Sequence, residues 1–249
     1  MNRDGKYNLK LTVAYDGTNY HGFQRQANAL TIQQVLEEGL SRLFGHEVKV
    51  TGAARTDAGV HAYGQTVNFY TAATIPVEKV PLAARAFLPP DIVVVTAERV
   101  PHSFHARYSA QSKIYRYQIL NSPQPDPCLR NYSWHIPHAL DIDRINEALG
   151  IIVGTHDFSS FRAAGGAPVN PVRTIYEASC ARRESILEFR FWGNGFLYHM
   201  VRNLVGTLVD VGRHKLTIAE FAAILAAKDR TVAGITAPPQ GLFLQRVLY

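Results

Sequence analysis

The chain has 249 residues, 47% of them hydrophobic and 18% charged, with a formal net charge of +6. That balance excludes a disordered chain and suits one large domain or two fused halves. The cationic excess favours a polyanionic partner, and no run of about 18 apolar residues argues for a membrane span. The two cysteines, Cys128 and Cys180, form no C-x-x-C pair. Zinc-ribbon and redox motifs are therefore absent, and both cysteines read as reduced thiols in a cytosolic protein. The start, Met1-Asn-Arg-Asp-Gly-Lys-Tyr7, lacks the apolar core of a signal peptide.

The first pattern is a strand over Leu9 to Tyr15, broken by Asp16-Gly17. Thr31-Ile-Gln-Gln34 has the spacing of a capping box, and Ile32, Val35, Leu36, Leu40 and Leu43 follow at helical intervals. Val48 to Thr51 and Gln65 to Tyr70 read as strands flanking a loop around Asp57. A helix that ends at Pro89-Pro90 precedes a β-branched strand over Asp91 to Val100. The second half repeats the style. Lys113 to Leu120 is a strand, Asn121 to Pro127 a Pro-rich loop, and Asp141 caps a helix carrying Ile142, Ile145, Leu149 and Ile152. Ala163 to Pro168 reads as a flexible surface loop. Arg173 to Ala181 and Ile186 to Trp192 form a hairpin, its second arm alternating as a half-buried antiparallel strand does. Phe196 to Val211 is a mostly apolar helix, Thr217-Ile-Ala-Glu220 opens another with a second capping box, and Leu242 to Tyr249 closes as a strand. Strands and helices mix without a strict βαβ rhythm. The expectation is an α+β fold: a largely antiparallel mixed sheet flanked by helices, in two halves over 1–106 and 107–249.

Asp57 stands out chemically. It lies in Gly52-Ala-Ala-Arg-Thr-Asp-Ala-Gly-Val-His61, among small residues between two apolar runs. One reading is a nucleophile or base that must meet a substrate closely, since Ala58 and Gly59 keep bulk away. The other is a turn aspartate satisfying its own backbone. Arg202 is the one permanently charged residue of Phe196 to Val209. Burying it alone costs several kcal/mol, so it is paired, snorkels to the surface, or holds Asp57 ionised. Tyr115 shares a strand face with Lys113 and Tyr117. It is either core or, beside cations, a ring for stacking on an unpaired base. Arg25, Arg162 and Arg173 sit singly in polar surroundings as solvated charge, or together as phosphate contacts. Asp57-x-x-x-His61 and His135-x-x-His138 mimic metal spacings, but Pro137 breaks the second and neither has a third ligand nearby in sequence. No P-loop and no G-x-S-x-G is present.

The stretch Arg55-Thr-Asp-Ala-Gly-Val-His-Ala62 resembles the active-site motif of the TruA-type tRNA pseudouridine synthases. Tyr15-Asp-Gly-Thr18, Lys113-x-Tyr115-x-Tyr117, His199-Met-Val-Arg-Asn-Leu-Val-Gly206, Ala226-Ala-Lys-Asp-Arg-Thr231 and Gly241-Leu-Phe-Leu244 extend the resemblance along nearly the whole chain. Two departures are local: Ala54 replaces the family's usual Gly, and Phe23 its usual Trp. The resemblance implies the pseudouridine synthase fold, with two similar α/β halves and a central active-site cleft. It implies isomerisation of uridine to pseudouridine at positions 38, 39 and 40 of the tRNA anticodon stem-loop, by a cytoplasmic homodimer. It assigns Asp57 as the catalytic aspartate, Arg202 as its ion-pair partner, Tyr115 as the ring stacked on the target base, and Arg55 as a filler of the space left by the flipped nucleotide. No electrons are exchanged and no group is donated, so neither a redox cofactor nor ATP is required. A carboxylate can attack the sugar, attack the ring, or take a ribose proton. Two rival readings are a non-catalytic RNA-binding protein and a metal-dependent hydrolase using Asp57 and His61.

Overall fold

The computed structural model describes residues 5–165 and 169–249. Of the expected loop over 163–168, residues 166–168 thus lie outside the described residues, as do the first four of the polar start. In chain order the elements are β1 (Tyr7–Tyr15), α1 (Ile32–Phe44), β2 (Thr51–Gly52), β3 (His61–Thr71), α2 (Val80–Ala84), β4 (Ile92–Val100), β5 (Ser112–Leu120), β6 (Trp134–His135), α3 (Ile142–Ile151), β7 (Gly154–Asp157), β8 (Val172–Arg183), β9 (Ile186–Gly193), α4 (Met200–Gly212), α5 (Ile218–Ala227) and β10 (Leu242–Leu248). The class is α+β as expected, with mostly antiparallel strands and the parallel β5–β6 pair making the sheet mixed.

The chain divides into two units, one of residues 1–111 with 244–249, the other of residues 112–243. The sequence suggested a change at 106/107 and assigned the final strand wholly to the second half. In the first unit the strand order is β4-β1-β3-β10, with β2 on β3. Alternate residues of β1, Leu9, Leu11, Val13 and Tyr15, are buried. α1 covers the sheet with Ile32, Leu36, Leu40 and Phe44, and Phe44 meets Phe69 of β3 edge-on at 5.2 Å. In the second unit the order is β5-β9-β8-β7. The β8–β9 hairpin forms as its alternation suggests, with Leu187, Phe189 and Phe191 fully buried. α3 packs close to α4: a Cβ on Gly212 would lie 2.7 Å from Ile145 Cδ1.

Several local expectations change, among them the helix before Pro89-Pro90, which is short and ends at Ala84. Val48 to Val50 is not strand. The Val48 amide donates to Ser41 Oγ (2.9 Å) and the Val50 amide to Glu37 Oε1 (3.1 Å), so α1 side chains take the bonds a neighbouring strand would have taken. The first capping box is half formed. Thr31 Oγ1 accepts from the Gln34 amide, but the Gln34 side chain reaches forward to Glu38 Oε1 (3.0 Å) instead of back. The second box, Thr217 with Glu220, forms in both directions. Lastly, α4 begins at Met200 rather than Phe196. His199 takes a left-handed conformation (φ 58°), which a helix cannot continue through.

Candidate active site

In the first unit, loop 53–60 carries Asp57 between β2 and β3. Backbone bonds hold it on all sides. The Ala53 amide donates to Thr66 O (2.8 Å). The buried Gln65 side chain pairs with the Ala54 backbone in both directions, Ala54 N to Oε1 (3.2 Å) and Nε2 to Ala54 O (2.7 Å). The Val60 amide donates to Asp57 O (3.1 Å), closing a four-residue turn whose third position, Gly59, is left-handed (φ 74°). Asp57 is half-buried and Ala58 exposed.

A second loop, 16–31, backs the first. The Phe23 amide donates to Thr56 O (3.0 Å) and the Gly59 amide to Tyr20 O (3.3 Å). Thr56 Oγ1 shares a hydrogen bond with Tyr15 OH (2.8 Å), and burial pushes that phenol's pKa well above its usual value. The approach is close enough to require glycine. A Cβ on Gly17 would stand 2.0 Å from Val60 O, and one on Gly22 (φ 86°) 2.7 Å from Thr56 O. His61 belongs to this brace. It is buried, and its Nδ1 accepts the Gly17 amide (3.0 Å). Beside it stands Asp16, whose Oδ1 lies 3.1 Å from His61 Nδ1 and takes the Thr18 amide (2.9 Å) and hydroxyl (2.6 Å). Among the described residues no group of three His, Cys, Asp or Glu stands together as a metal site.

Arg55 is exposed beside this turn. Arg25 is engaged with α1: its Nε pairs with Glu37 Oε2 (3.1 Å), and Glu37 is itself buried.

In the second unit, Arg202 lies in the first turn of α4 and is partly buried. Its Nε donates to Ala237 O (2.8 Å), and its own carbonyl accepts the Ala237 amide (3.1 Å). Residues 234–241 form a strap fastened along its length. The Gly234 amide donates to Thr207 Oγ1 (3.0 Å). Tyr117 OH donates to Pro238 O (2.7 Å), and a Cβ on Gly241 would strike the Tyr117 ring at 2.6 Å. Gly206 lets the strap reach α4, since a Cβ there would lie 1.8 Å from Ile235 O. Tyr117 is thus core, fully buried, with its phenol pKa pushed up by burial and partly drawn back by the Arg202 charge.

Tyr115, two residues earlier on β5, is 7% exposed and meets Phe196 edge-on at 4.9 Å. The structure also brings Arg162 and Arg173 near each other. Burial and the neighbouring Arg162 charge lower the pKa of the Arg173 guanidinium below its usual value. Arg173 Nη1 is held by the carbonyls of Asn170 (2.6 Å) and Val172 (2.7 Å). Sequence reasoning passed over Asn203. The signal was the one that marked Arg202: a polar side chain in a helix turn with no wet face. Asn203 is fully buried.

The sequence model of the family described as tRNA pseudouridine synthase matches residues 11–109 and 148–249. The chain is 50% identical over 242 residues to the tRNA pseudouridine synthase A of Thermoanaerobacter sp. (strain X514), covering 97% of this chain and 99% of the relative. It is 48% identical over 242 residues to that of Ruminiclostridium cellulolyticum, again covering 97% and 99%. Among solved structures, the crystal structure of a Cbf5-Nop10-Gar1 complex aligns with a TM-score of 0.38 at 12% identity, over 94% of this chain and 57% of that one. The match to an RNA-modifying isomerase family covers both units and all the motifs quoted above, apart from Lys113-x-Tyr115-x-Tyr117, which lies in the gap between the matched segments. The chain belongs to the tRNA pseudouridine synthase family.

Proposed function

We propose that this protein isomerises uridine to pseudouridine in the anticodon stem-loop of tRNA, at positions 38, 39 and 40, acting in the cytoplasm as a homodimer. The observation that carries the reading is the Asp57 turn. It offers a half-buried carboxylate flanked by Ala58 and Gly59 and fixed through its backbone by β3 and loop 16–31. A placed carboxylate of this kind suits a reaction in which the ribose–N1 bond breaks, the base turns, and ribose joins ring carbon 5, which gives up its proton. Family membership and 50% identity across the chain support the same activity.

In this reading Asp57 is the catalytic group and Arg202 its ion-pair partner. Tyr115 stacks on the target uracil, and Arg55 fills the gap left when that nucleotide is flipped, a step costing a few kcal/mol. Arg162 and Arg173 meet phosphate, where two adjacent cations favour one anion. Arg25 is the weaker phosphate candidate, because Glu37 already shares its charge. The test is tritium release from a tRNA transcript labelled at carbon 5 of uridine. Wild type is expected to release label at 38, 39 and 40 and Asp57→Asn to release none. Release by Asp57→Asn near the wild-type rate would overturn the assignment.

A further inference from the structure

We infer that Asn203, assisted by Arg230 and Thr236, is a positioning residue for Arg202, acting through the strap that carries Ala237. The inference rests on the role proposed above for Arg202. Asn203 is fully buried and ties three segments together. Its Nδ2 donates to Phe161 O (2.8 Å). Its Oδ1 accepts from Arg230 Nη2 (3.1 Å) and from Thr236 Oγ1 (2.7 Å). Arg230 adds a bond from Nη1 to Ala233 O (3.2 Å) and one from Nη2 to Thr236 Oγ1 (3.1 Å). Both ends of the Asn203 amide are therefore engaged, and an Asp or a Leu could not reproduce both.

Thr236 is bonded to Asn203 and is followed directly by Ala237, the residue that grips Arg202 Nε and accepts nothing from the rest of this cluster. A guanidinium anchored at Nε keeps its plane and the direction of its fork, whereas one tethered only at the stem samples several rotamers. The energetic logic follows. A hydrogen bond to a charged partner inside the protein is stronger than one between neutral groups, and a buried polar group left unmatched is costly. The Asn203–Arg230–Thr236 cluster satisfies its own members and sets where the Ala237 carbonyl stands. The same contacts account for the Ala226 to Thr231 motif, to which no chemical role attaches: Arg230 reaches Asn203 from there.

The experiment measures kcat and KM for tRNA, with melting temperature, in Asn203→Ala, Thr236→Val and Arg202→Lys, and in each of the first two combined with Arg202→Lys. Lysine keeps the charge but has no Nε–H for Ala237. Each single variant is expected to lose between about tenfold and a hundredfold in kcat, the range for a misplaced group, with KM nearly unchanged. Combined with Arg202→Lys, Asn203→Ala and Thr236→Val are expected to add no further loss, because the anchor is already gone. Thr236→Val carries the test if Asn203→Ala does not fold. Equal losses on both backgrounds, or a change confined to KM, would overturn the inference while leaving the charge role of Arg202 intact. An Arg202→Lys variant with wild-type kcat would overturn it too.

Discussion

The Asp57 loop and the Arg202 strap solve one problem in opposite ways. Loop 53–60 takes four main-chain bonds, from the amides of Ala53, Phe23, Gly59 and Val60, beside the Gln65 clamp on Ala54 and the Tyr15–Thr56 hydroxyl pair, and Gly17 and Gly22 permit the approach. Residues 234–241 are held mainly by side chains, those of Thr207, Asn203, Arg202 and Tyr117. A loop held by main chain tolerates exchange of the side chain it presents. A strap held by side chains loses its place when any of them is removed.

Asp57→Asn sharpens that contrast most. With the backbone brace untouched, turnover is expected to fall by more than about a thousandfold while melting temperature stays near wild type, read by tritium release and circular dichroism. A large drop in melting temperature would show that the Asp57 side chain also holds the loop. Arg202→Met is expected to lose about a hundredfold or more in kcat, as when an electrostatic partner is removed, and to lower stability as well, because Ala237 loses its donor. Tyr115→Leu should cost about tenfold to a hundredfold, the worth of a stacked ring, with Tyr115→Phe close to wild type. Equal impairment of both variants would assign the effect to the hydroxyl.

The glycines test the comparison itself. Gly17→Ala and Gly206→Ala each place a Cβ within 2.0 Å of a carbonyl oxygen, and each is expected to destabilise by about 1–3 kcal/mol in urea melts. A neutral result for either would mean that its segment moves aside at no cost. The smallest effect is at the α5 cap, away from both regions. Glu220 accepts the Thr217 amide (2.8 Å) and hydroxyl (2.8 Å), which hold its pKa below 4.5. A depressed carboxylate stabilises the fold above its unfolded pKa, and that stability is lost as pH falls through the folded value. The melting-temperature gap between wild type and Glu220→Gln should be flat at neutral pH and close below about 4.5.

How much of this could be read in advance depended on the range of the interaction. The β8–β9 hairpin and the Thr217 cap follow from neighbours a few residues apart, and both form as the pattern suggests. Val48 to Val50 has the composition of a strand, but its amides meet Glu37 and Ser41, partners chosen by tertiary packing. The apolar run from Phe196 looks helical throughout. Only the left-handed His199 reveals that the helix starts later, after Phe196 has turned to meet Tyr115. Asp57 was visible because loop chemistry is local. The partners of Asn203 lie at Phe161, Arg230 and Thr236, and no local pattern points to them.

Residues 244–249 belong to the first unit, although the second unit lies between them and the rest of it in sequence. The Gln111 amide donates to Leu248 O (2.9 Å), Tyr249 OH to Ala106 O (2.8 Å), and Gly64 backs directly onto Gln245. During synthesis the ribosome therefore releases the Asp57 loop early, but the strand beside β3 emerges only after the second unit has been translated. A nascent chain stalled before Leu244 exposes an unpaired edge of β3, a template for pairing with another chain. The first half of this protein is thus translated first and completed last.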